Sequence, residues 1–176
     1  MAPTSYSYLF AAVAALLLLG AAQGPFAEAN AGVNQFCVMA TYKDLCSAMA
    51  KGASTLQTAR ANVLQTALDE ARSLKGLVPK LMPAINQLPS KSKTEVLQTC
   101  TEDFDGTISD IEESIKALQV GDMGTAQTHL SAALRRDCRD AIQELGVNSP
   151  LTNYATELTR RVDSCMAVLT QKTSSR

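Results

Sequence analysis

The chain has 176 residues, with 16 Lys and Arg against 17 Asp and Glu, five Cys and a single His, and 46% of its residues are hydrophobic. The balanced charge provides no basic field for nucleic acid, the composition is too apolar for a disordered chain, and one His excludes a His-rich metal site. The length fits one domain and a leader.

The first predicted element is a signal peptide. Residues 9–22 read LFAAVAALLLLGAA, an uncharged apolar run. This run is shorter than the roughly 20 residues that span a membrane, and it suits the hydrophobic region of a signal peptide. Small residues then offer two cleavage positions: before Asn30, after Ala27-Glu28-Ala29, and before Gly32, after Ala29-Asn30-Ala31; the first is the predicted site. Residues 1–29 are therefore predicted to be removed, and residues 30–176 to be secreted without a membrane anchor. A buried N-terminal helix is the alternative.

The first helix of the mature chain is predicted over residues 54–76, where apolar residues recur at steps of three and four. Ser54 and Gln57 have the spacing of a capping box, and Gly76 follows the last apolar position. Three prolines interrupt the next segment, residues 77–89. That segment is therefore predicted to be a connection and not a continuous helix.

Three further amphipathic helices are predicted over about residues 92–120, 122–145 and 150–169. Ser92 and Glu95 have the spacing of a capping box at the start of the first of them. Short turns join these helices, so consecutive helices are antiparallel neighbours. The fold class is therefore all-α, an up-and-down four-helix bundle.

The helix over residues 122–145 is predicted to be continuous. Asp122 is its N-cap and Gly146 follows its end. Its apolar positions step by 3, 4, 4, 4, 3 and 4, and they are Met123, Ala126, Leu130, Leu134, Cys138, Ala141 and Leu145.

Register discriminates among the three cysteines on the core faces of these helices. Cys100 lies 21 residues before Gly121 and Cys138 lies 17 residues after it, a mismatch of about 6 Å that helix tilt can absorb. Cys138 and Cys165 are offset by about 10 Å, beyond the reach of a disulfide. A Cys100–Cys138 disulfide is therefore predicted, and Cys165 is predicted to be a free thiol in the core.

Cys37 and Cys46 are then left for each other. They lie nine positions apart ahead of the bundle, which predicts an N-terminal helical hairpin closed by a disulfide. A cysteine metal site is disfavoured because the chain has no C-x-x-C pair. Neither a metal nor another cofactor is predicted.

No motif predicts catalysis. His129 lies on the flank of its helix, next to the core position Leu130, where a solvated His is the ordinary interpretation. The chain has no G-x-S-x-G, P-loop or H-E-x-x-H motif. The acidic residues of the helix over 92–120 are typical of a solvated face. The chain is therefore not predicted to be an enzyme.

The order of these features resembles the plant invertase/pectin methylesterase inhibitor family. The matching features are the leader, the Cys-x8-Cys hairpin with Thr41-Tyr42 inside it, Gly121-Asp122 at a helix start, and the segment Leu130-Ser131-Ala132-Ala133-Leu134 leading to Cys138. The resemblance covers the mature chain. It implies a non-catalytic inhibitor of a plant cell-wall enzyme in the apoplast, with pectin methylesterase as the target of one branch of the family and cell-wall or vacuolar acid invertase as the target of the other.

Two departures from the family patterns bear on the target. Invertase inhibitors carry Pro-Lys-Phe after the Gly-Asp pair, whereas Met123-Gly124-Thr125 stand here, which favours the pectin methylesterase branch. Inhibitors of that branch commonly carry Thr after Ser-Ala-Ala-Leu and a longer run to the next Cys. Here Arg135-Arg136-Asp137 fill a shorter gap.

An inhibitor of this kind is expected to lay a helical face across the cleft of its target. The exposed faces of the second and third bundle helices are the candidates, and their candidate contact residues are Glu102, Asp103, Thr125, Arg135 and Arg136. Ordinary solvated residues are the alternative interpretation. Two other classes stay open: a helical carrier of an apolar ligand, and a regulatory or storage member of the family without an enzyme target.

Overall fold

The structure is a computed structural model that describes residues 32–172, so the predicted signal peptide lies outside the described residues. Helices and turns make up this whole range, and no β-strand occurs within it. The helices are α1 Lys43–Ala50, α2 Leu56–Lys75, a 3-10 turn Val78–Leu81, the one-turn α3 Met82–Ile85, α4 Ser90–Gln119, α5 Met123–Ala132, α6 Asp137–Glu144 and α7 Pro150–Leu169.

Four arms form the bundle: α2, α4, the pair α5 and α6, and α7. Helix α4 contacts α2 on one side and α5 and α6 on the other, while α7 contacts α2, α5 and α6. The arms thus close a ring around one core of Leu, Ile, Val and Ala, in which Phe104 is the one buried aromatic ring among residues 32–172. The predicted all-α bundle is confirmed. Within residues 32–172, no helix is long and apolar enough to cross a membrane.

The first two long helices begin at other residues than predicted. The hydroxyl of Thr55 caps α2 by accepting a hydrogen bond from the backbone N–H of Thr58 at 3.1 Å, one residue later than the predicted Ser54. Helix α4 begins at Ser90, two residues before the predicted Ser92. It follows a proline whose extended ψ of 147° ends the preceding segment, so no side-chain cap is needed to define the start.

The turns after α4 and α6 agree with the sequence prediction. Gly121 and Gly146 adopt φ angles of +79° and +62°, a left-handed conformation that favours glycine at the ends of helices. Asp122 and Ser149 then cap the helices that follow, because their side chains accept hydrogen bonds from first-turn N–H groups at 3.0 and 3.2 Å.

The predicted third bundle helix is not continuous. Helix α5 ends at Ala132 and α6 begins at Asp137, so residues 133–136 lie outside both helices; Ala133 still has helical backbone angles, which leaves three residues, 134–136, without helical structure. A non-helical residue advances the chain by up to about 3.3 Å instead of 1.5 Å, so three such residues gain up to roughly 5 Å. This gain offsets most of the register mismatch and brings the Cα of Cys138 to 4.2 Å from that of Cys100. A break therefore provides the register that tilt was expected to provide.

The break also changes which side of the arm faces the core. Ile142 is fully buried in α6, whereas Leu145, a predicted core position, is 37% exposed. In α7, the same three- and four-residue steps from Leu151 predict Tyr154 as a core position, but Tyr154 is 47% exposed and the adjacent Ala155 is buried in its place. The apolar steps predicted the helical arms correctly but misplaced these two residues.

A disulfide joins Cys37 to Cys46 ahead of the bundle, with their Cα atoms 5.6 Å apart. This disulfide closes the predicted N-terminal hairpin. The second limb of the hairpin is α1, while the first limb, residues 33–42, consists of turns. Asn34 fixes this limb: its backbone N–H donates to Ser47 Oγ at 2.9 Å and its side-chain amide donates to the carbonyl of Ala53 at 3.2 Å.

Candidate functional site

The site begins at Asp103, at the junction of α4 with the break in the third arm. Its side chain is buried, with 6% of the residue exposed, and Oδ2 accepts a hydrogen bond from the backbone N–H of Cys138 at 3.2 Å. Cys138 lies in the first turn of α6, whose own preceding residue, Arg136, offers no side-chain cap. Asp103 therefore caps α6 from a neighbouring helix. The prediction that Asp103 is an exposed contact residue is wrong.

Burial raises the pKa of Asp103 above its ordinary value, and the nearby charge of Asp137 raises it further. The hydrogen bond from Cys138 and the charge of Arg135 act in the opposite direction. The second oxygen, Oδ1, has no hydrogen-bond partner among the described residues. The ionised carboxylate is thus incompletely compensated, and its structural role comes from the other oxygen, which holds the start of α6.

The Cys100–Cys138 disulfide joins the same two elements as this cap. Cys100 lies one turn before Asp103 on α4, so the disulfide and the hydrogen bond both hold the start of α6. The fifth cysteine, Cys165, is buried in α7 as a thiol, and its Sγ donates to the carbonyl of Val63 at 3.2 Å. Burial raises the pKa of this thiol.

Arg135 lies on the break and reaches back across α4. Its Nη2 donates to Asp110 Oδ2 at 3.0 Å, and His129 Nδ1 lies 3.6 Å from the other oxygen of the same carboxylate. The guanidinium passes over Gly106, where a Cβ atom would lie only 2.7 Å from the Arg135 Nε. The missing side chain at Gly106 therefore makes room for Arg135. The Arg135 side chain is 39% exposed, and its bond to Asp110 fixes the position of the guanidinium.

The other candidate residues divide between two ends of the bundle. Glu102 and Arg136 are exposed near the disulfide, at the same end as Arg135. Thr125 is exposed in the first turn of α5, at the opposite end of α4. Between Glu102 and Leu118 the helix rises about 24 Å. The structure therefore places Glu102, Arg135 and Arg136 at one level of the bundle, near the Cys100–Cys138 disulfide, and Thr125 at the far end of α4.

A polar groove of about 340 Å³ lies beside this surface, between the break, α7 and the N-terminal segment. Arg136, Arg139 and Arg160 line it, together with the ring of Tyr42. The sequence pattern does not single out Arg139 or Arg160, because the lining residues come from separate elements. The one local signal is the basic run that flanks Cys138, from Arg135 to Arg139.

The described residues contain no group of three or more His, Cys, Asp or Glu side chains placed to hold a metal ion. The surface near the Cys100–Cys138 disulfide is held in place by that disulfide, by the Asp103 cap on α6 and by the Arg135–Asp110 ion pair. Such a surface suits binding, because its groups lose little further freedom when a partner arrives.

The family model described as "Plant invertase/pectin methylesterase inhibitor" matches residues 31–169. The chain belongs to this family. Members of the family are proteinaceous enzyme inhibitors, so this inhibitor is of the pectin methylesterase/invertase kind and is not an enzyme. Its partner is accordingly a plant cell-wall enzyme of the kind that the family inhibits.

Two solved structures share the fold of this inhibitor. A mutant form of a pectin methylesterase inhibitor from Arabidopsis aligns with a TM-score of 0.62 and 18% identity, covering 77% of this chain and 93% of that one. A pectin methylesterase inhibitor from Arabidopsis thaliana aligns with a TM-score of 0.58 and 19% identity, covering 66% and 78%. The sequence has no significant match among curated proteins.

Proposed function

We propose that the protein is a secreted inhibitor of pectin methylesterase that covers the active-site cleft of the enzyme and excludes its polysaccharide. The match of residues 31–169 to the inhibitor family carries this proposal. Two observations favour pectin methylesterase over invertase as the target. Both solved structures described above are inhibitors of that esterase, and Met123-Gly124-Thr125 replace the Pro-Lys-Phe that the resemblance implies for invertase inhibitors.

The proposed contact surface lies at the level of the Cys100–Cys138 disulfide and includes Glu102, Arg135 and Arg136. Arg135 is the best placed of the three, because Asp110 and the space over Gly106 hold its guanidinium before a partner binds. A side chain already held in this way loses less entropy on binding than a free one. Thr125 lies at the other end of α4 and belongs to the surface only if the target contacts the whole length of that helix.

Secretion is part of the proposal. Residues 1–29 have the pattern of a signal peptide, and two disulfides are typical of proteins that fold in an oxidising compartment. The site of action would be the apoplast, where wall enzymes meet pectin.

A paired inhibition assay tests the target. The full chain is expressed through a secretory pathway, and the product is titrated against a plant pectin methylesterase and an acid invertase at mildly acidic pH. We expect stoichiometric loss of esterase activity and unchanged invertase activity. Loss of invertase activity alone would contradict the choice of branch. No effect on either enzyme, from correctly folded protein, would favour the carrier or a family member without a target.

Two variants then test the surface. Arg135→Gln removes the charge, whereas Gly106→Ala leaves the charge in place and displaces the guanidinium. If Arg135 contacts the target, both should weaken inhibition by roughly tenfold, which corresponds to about 1.4 kcal/mol. Lys91→Gln, at an exposed position near the start of α4, is the matched control. Unchanged inhibition by both variants would remove Arg135 from the contact surface.

A further inference from the structure

We propose that the groove lined by Arg136, Arg139 and Arg160 is a second binding site, for the carboxylate groups of an acidic polysaccharide. The occupant would be an extended chain of uronate sugars. This site adjoins the proposed enzyme-contact surface and shares Arg136 with it, but its binding of a sugar chain needs no enzyme. Only the choice of a pectic uronate as its ligand rests on the proposed function.

The groove is built from four parts of the chain. Arg136 comes from the break, Arg139 from the first turn of α6 and Arg160 from α7. Tyr42 adds an aromatic ring from the N-terminal segment, and the Arg160 guanidinium lies 5.4 Å from the centroid of that ring. Both disulfides support these parts, because one holds the segment carrying Tyr42 and the other holds the start of α6. The groove therefore exists before a ligand arrives.

Charge selects an anionic ligand. Three guanidinium groups line the groove and face a single lining carboxylate, Asp163. Among residues 32–172, Arg136 forms neither an ion pair nor a side-chain hydrogen bond, so its donors are available. Two-pronged guanidinium–carboxylate pairing is the strong and specific contact that such a group makes.

The other two arginines are partly satisfied within the protein. Arg139 bonds to the adjacent Asp140 at 2.6 and 2.8 Å, and Arg160 approaches Glu157 at 3.6 Å. Each guanidinium has five N–H donors, so one carboxylate leaves donors free on both. Arg136 is thus the expected principal anchor, with Arg139 and Arg160 as supporting contacts.

The remaining lining favours a sugar over a protein side chain. The hydroxyls of Thr156 and Thr159 donate to backbone carbonyls of α7, at 2.9 and 3.1 Å, so their oxygens present acceptors to the groove. Sugar hydroxyls are the donors that would match them. A volume of about 340 Å³ is at the small end of ligand sites and suits one or two sugar rings. A stable protein partner would instead bury about 800 Å² on each side.

The site would bind the inhibitor to pectin, the polymer on which the target esterase acts. Hydrolysis of the methyl esters of pectin produces carboxylates along the chain, so a carboxylate-binding groove would hold the inhibitor where the esterase has already acted. Methyl-esterified segments lack the charge and would bind poorly.

Direct binding in the absence of any enzyme tests the proposal. The secreted protein from the full chain, with its disulfides intact, is titrated by calorimetry with a galacturonate oligomer and with the fully methyl-esterified oligomer of the same length. We expect binding of the acidic oligomer, at least tenfold weaker binding of the ester, and weakening as salt is added. Because no enzyme is present, this result is independent of whether the protein inhibits one.

A triple variant, Arg136→Gln with Arg139→Gln and Arg160→Gln, should lose at least tenfold in affinity. The matched control removes the same number of charges elsewhere, through Lys80→Gln, Lys91→Gln and Lys93→Gln, and should change affinity by less than twofold. Arg136→Gln alone should lose at least threefold in affinity for the acidic oligomer. Because Arg136 is exposed and has no side-chain partner among residues 32–172, this single change should not disturb folding. Circular dichroism checks the fold of each variant.

Four results would overturn the proposal. They are no binding of the acidic oligomer by the natural protein, equal binding of the ester, equal loss in both triple variants, and retained binding in the arginine triple variant. If the arginine triple variant loses affinity for purified pectin methylesterase but keeps its affinity for the oligomer, the groove belongs to the enzyme contact instead.

Discussion

Asp103 shows how far the meaning of a charged residue depends on its surroundings. In the sequence it is one of several acidic residues on an amphipathic helix, and nothing local separates it from the exposed Glu102 before it. In the structure its carboxylate is buried and caps α6 through Cys138. The apolar period of α4 places Asp103 near the core edge, next to Phe104, but only the packing of α6 against α4 gives it a hydrogen-bond donor.

We predict that Asp103→Asn increasingly stabilises the protein, relative to the natural chain, as pH rises. The raised pKa means that the folded protein binds a proton over a pH range in which the unfolded chain, with an Asp pKa of about 3.9, has released it. The stability of the natural protein therefore falls as pH rises through the folded pKa. Asparagine keeps the acceptor oxygen and does not titrate. Urea unfolding of both proteins between pH 3.5 and 7 measures the difference.

Two comparison variants separate charge from capping. Asp103→Ala removes the acceptor and should cost about 1–3 kcal/mol at the lowest pH, because the Cys138 N–H is left unpaired. Its cost should shrink as pH rises, because Ala does not titrate, but at each pH it should remain less stable than Asp103→Asn. Asp105→Asn, at an exposed carboxylate paired with Lys75 at 2.5 Å, is the control for loss of a charge on the same helix and should cost under about 1 kcal/mol. A loss of stability in Asp103→Asn that increases with pH would contradict the assignment.

Cys165 is predicted to be unreactive while the protein is folded. Its Sγ is buried against the Val63 carbonyl, and burial raises its pKa, so both access and the thiolate are lacking. A thiol reagent at neutral pH should label no cysteine in the native protein and one per chain in denaturant without reductant. Labelling of the native protein at the rate seen in denaturant would contradict the burial of Cys165. It would show that α7 opens readily, or that the free cysteine is one other than Cys165.

At the scale of single elements, the end of α7 shows how one helix is completed by others. The guanidinium of Arg60, buried in α2, donates to the carbonyl of Leu169 at 3.3 Å and also to that of Gln171. The side chain of Gln127, in α5, donates to the same Leu169 carbonyl at 3.3 Å. These donors satisfy the last carbonyl of the helix and one carbonyl just beyond it, and Arg60 places a positive charge at the negative end of the helix.

We predict that Arg60→Met destabilises the protein by about 1–3 kcal/mol, because methionine fills similar space but leaves the terminal carbonyls of α7 without that donor. Chemical unfolding measures the change. Arg72→Met on the same helix is the matched control. Arg72 is exposed and pairs with Glu112 at 2.7 Å, so its loss should cost under about 1 kcal/mol. Equal costs in the two variants would contradict the capping role of Arg60.

The broken third arm marks the limit of periodicity as a predictor. The steps from Met123 to Leu145 fit one helix, and no Gly or Pro interrupts residues 133–136. Four features of α4 accompany the break. They are the Cys100–Cys138 disulfide, the cap from Asp103, the Arg135–Asp110 ion pair and the missing side chain at Gly106, over which Arg135 packs. All four partners lie on other segments, so a pattern read along one helix could not reveal the break.

At the scale of the whole molecule, two disulfides constrain the unfolded chain. We predict that replacing Cys100 and Cys138 with Ala lowers the free energy of unfolding by about 4 kcal/mol, and that replacing Cys37 and Cys46 lowers it by about 3 kcal/mol. The larger effect belongs to the longer loop, 38 positions against nine. Urea unfolding without reductant measures both.

The two pairs should also differ in which part of the molecule they loosen. Loss of Cys100–Cys138 should increase hydrogen exchange in α6, whose start it holds beside Asp103. Loss of Cys37–Cys46 should act mainly on the segment before α2. A uniform increase over the bundle in both variants would argue against this separation.

The sequence by itself determined the helical arms, the turns at Gly121 and Gly146 and the register that favours the cysteine pairs, because 3.6-residue periodicity, capping and backbone freedom are local properties of the chain. The tertiary structure decided where the third arm breaks, that Asp103 is buried, and which arginines meet in one groove. Each of these depends on groups from different segments, and burial and hydrogen bonding between segments arise only once the arms have packed together.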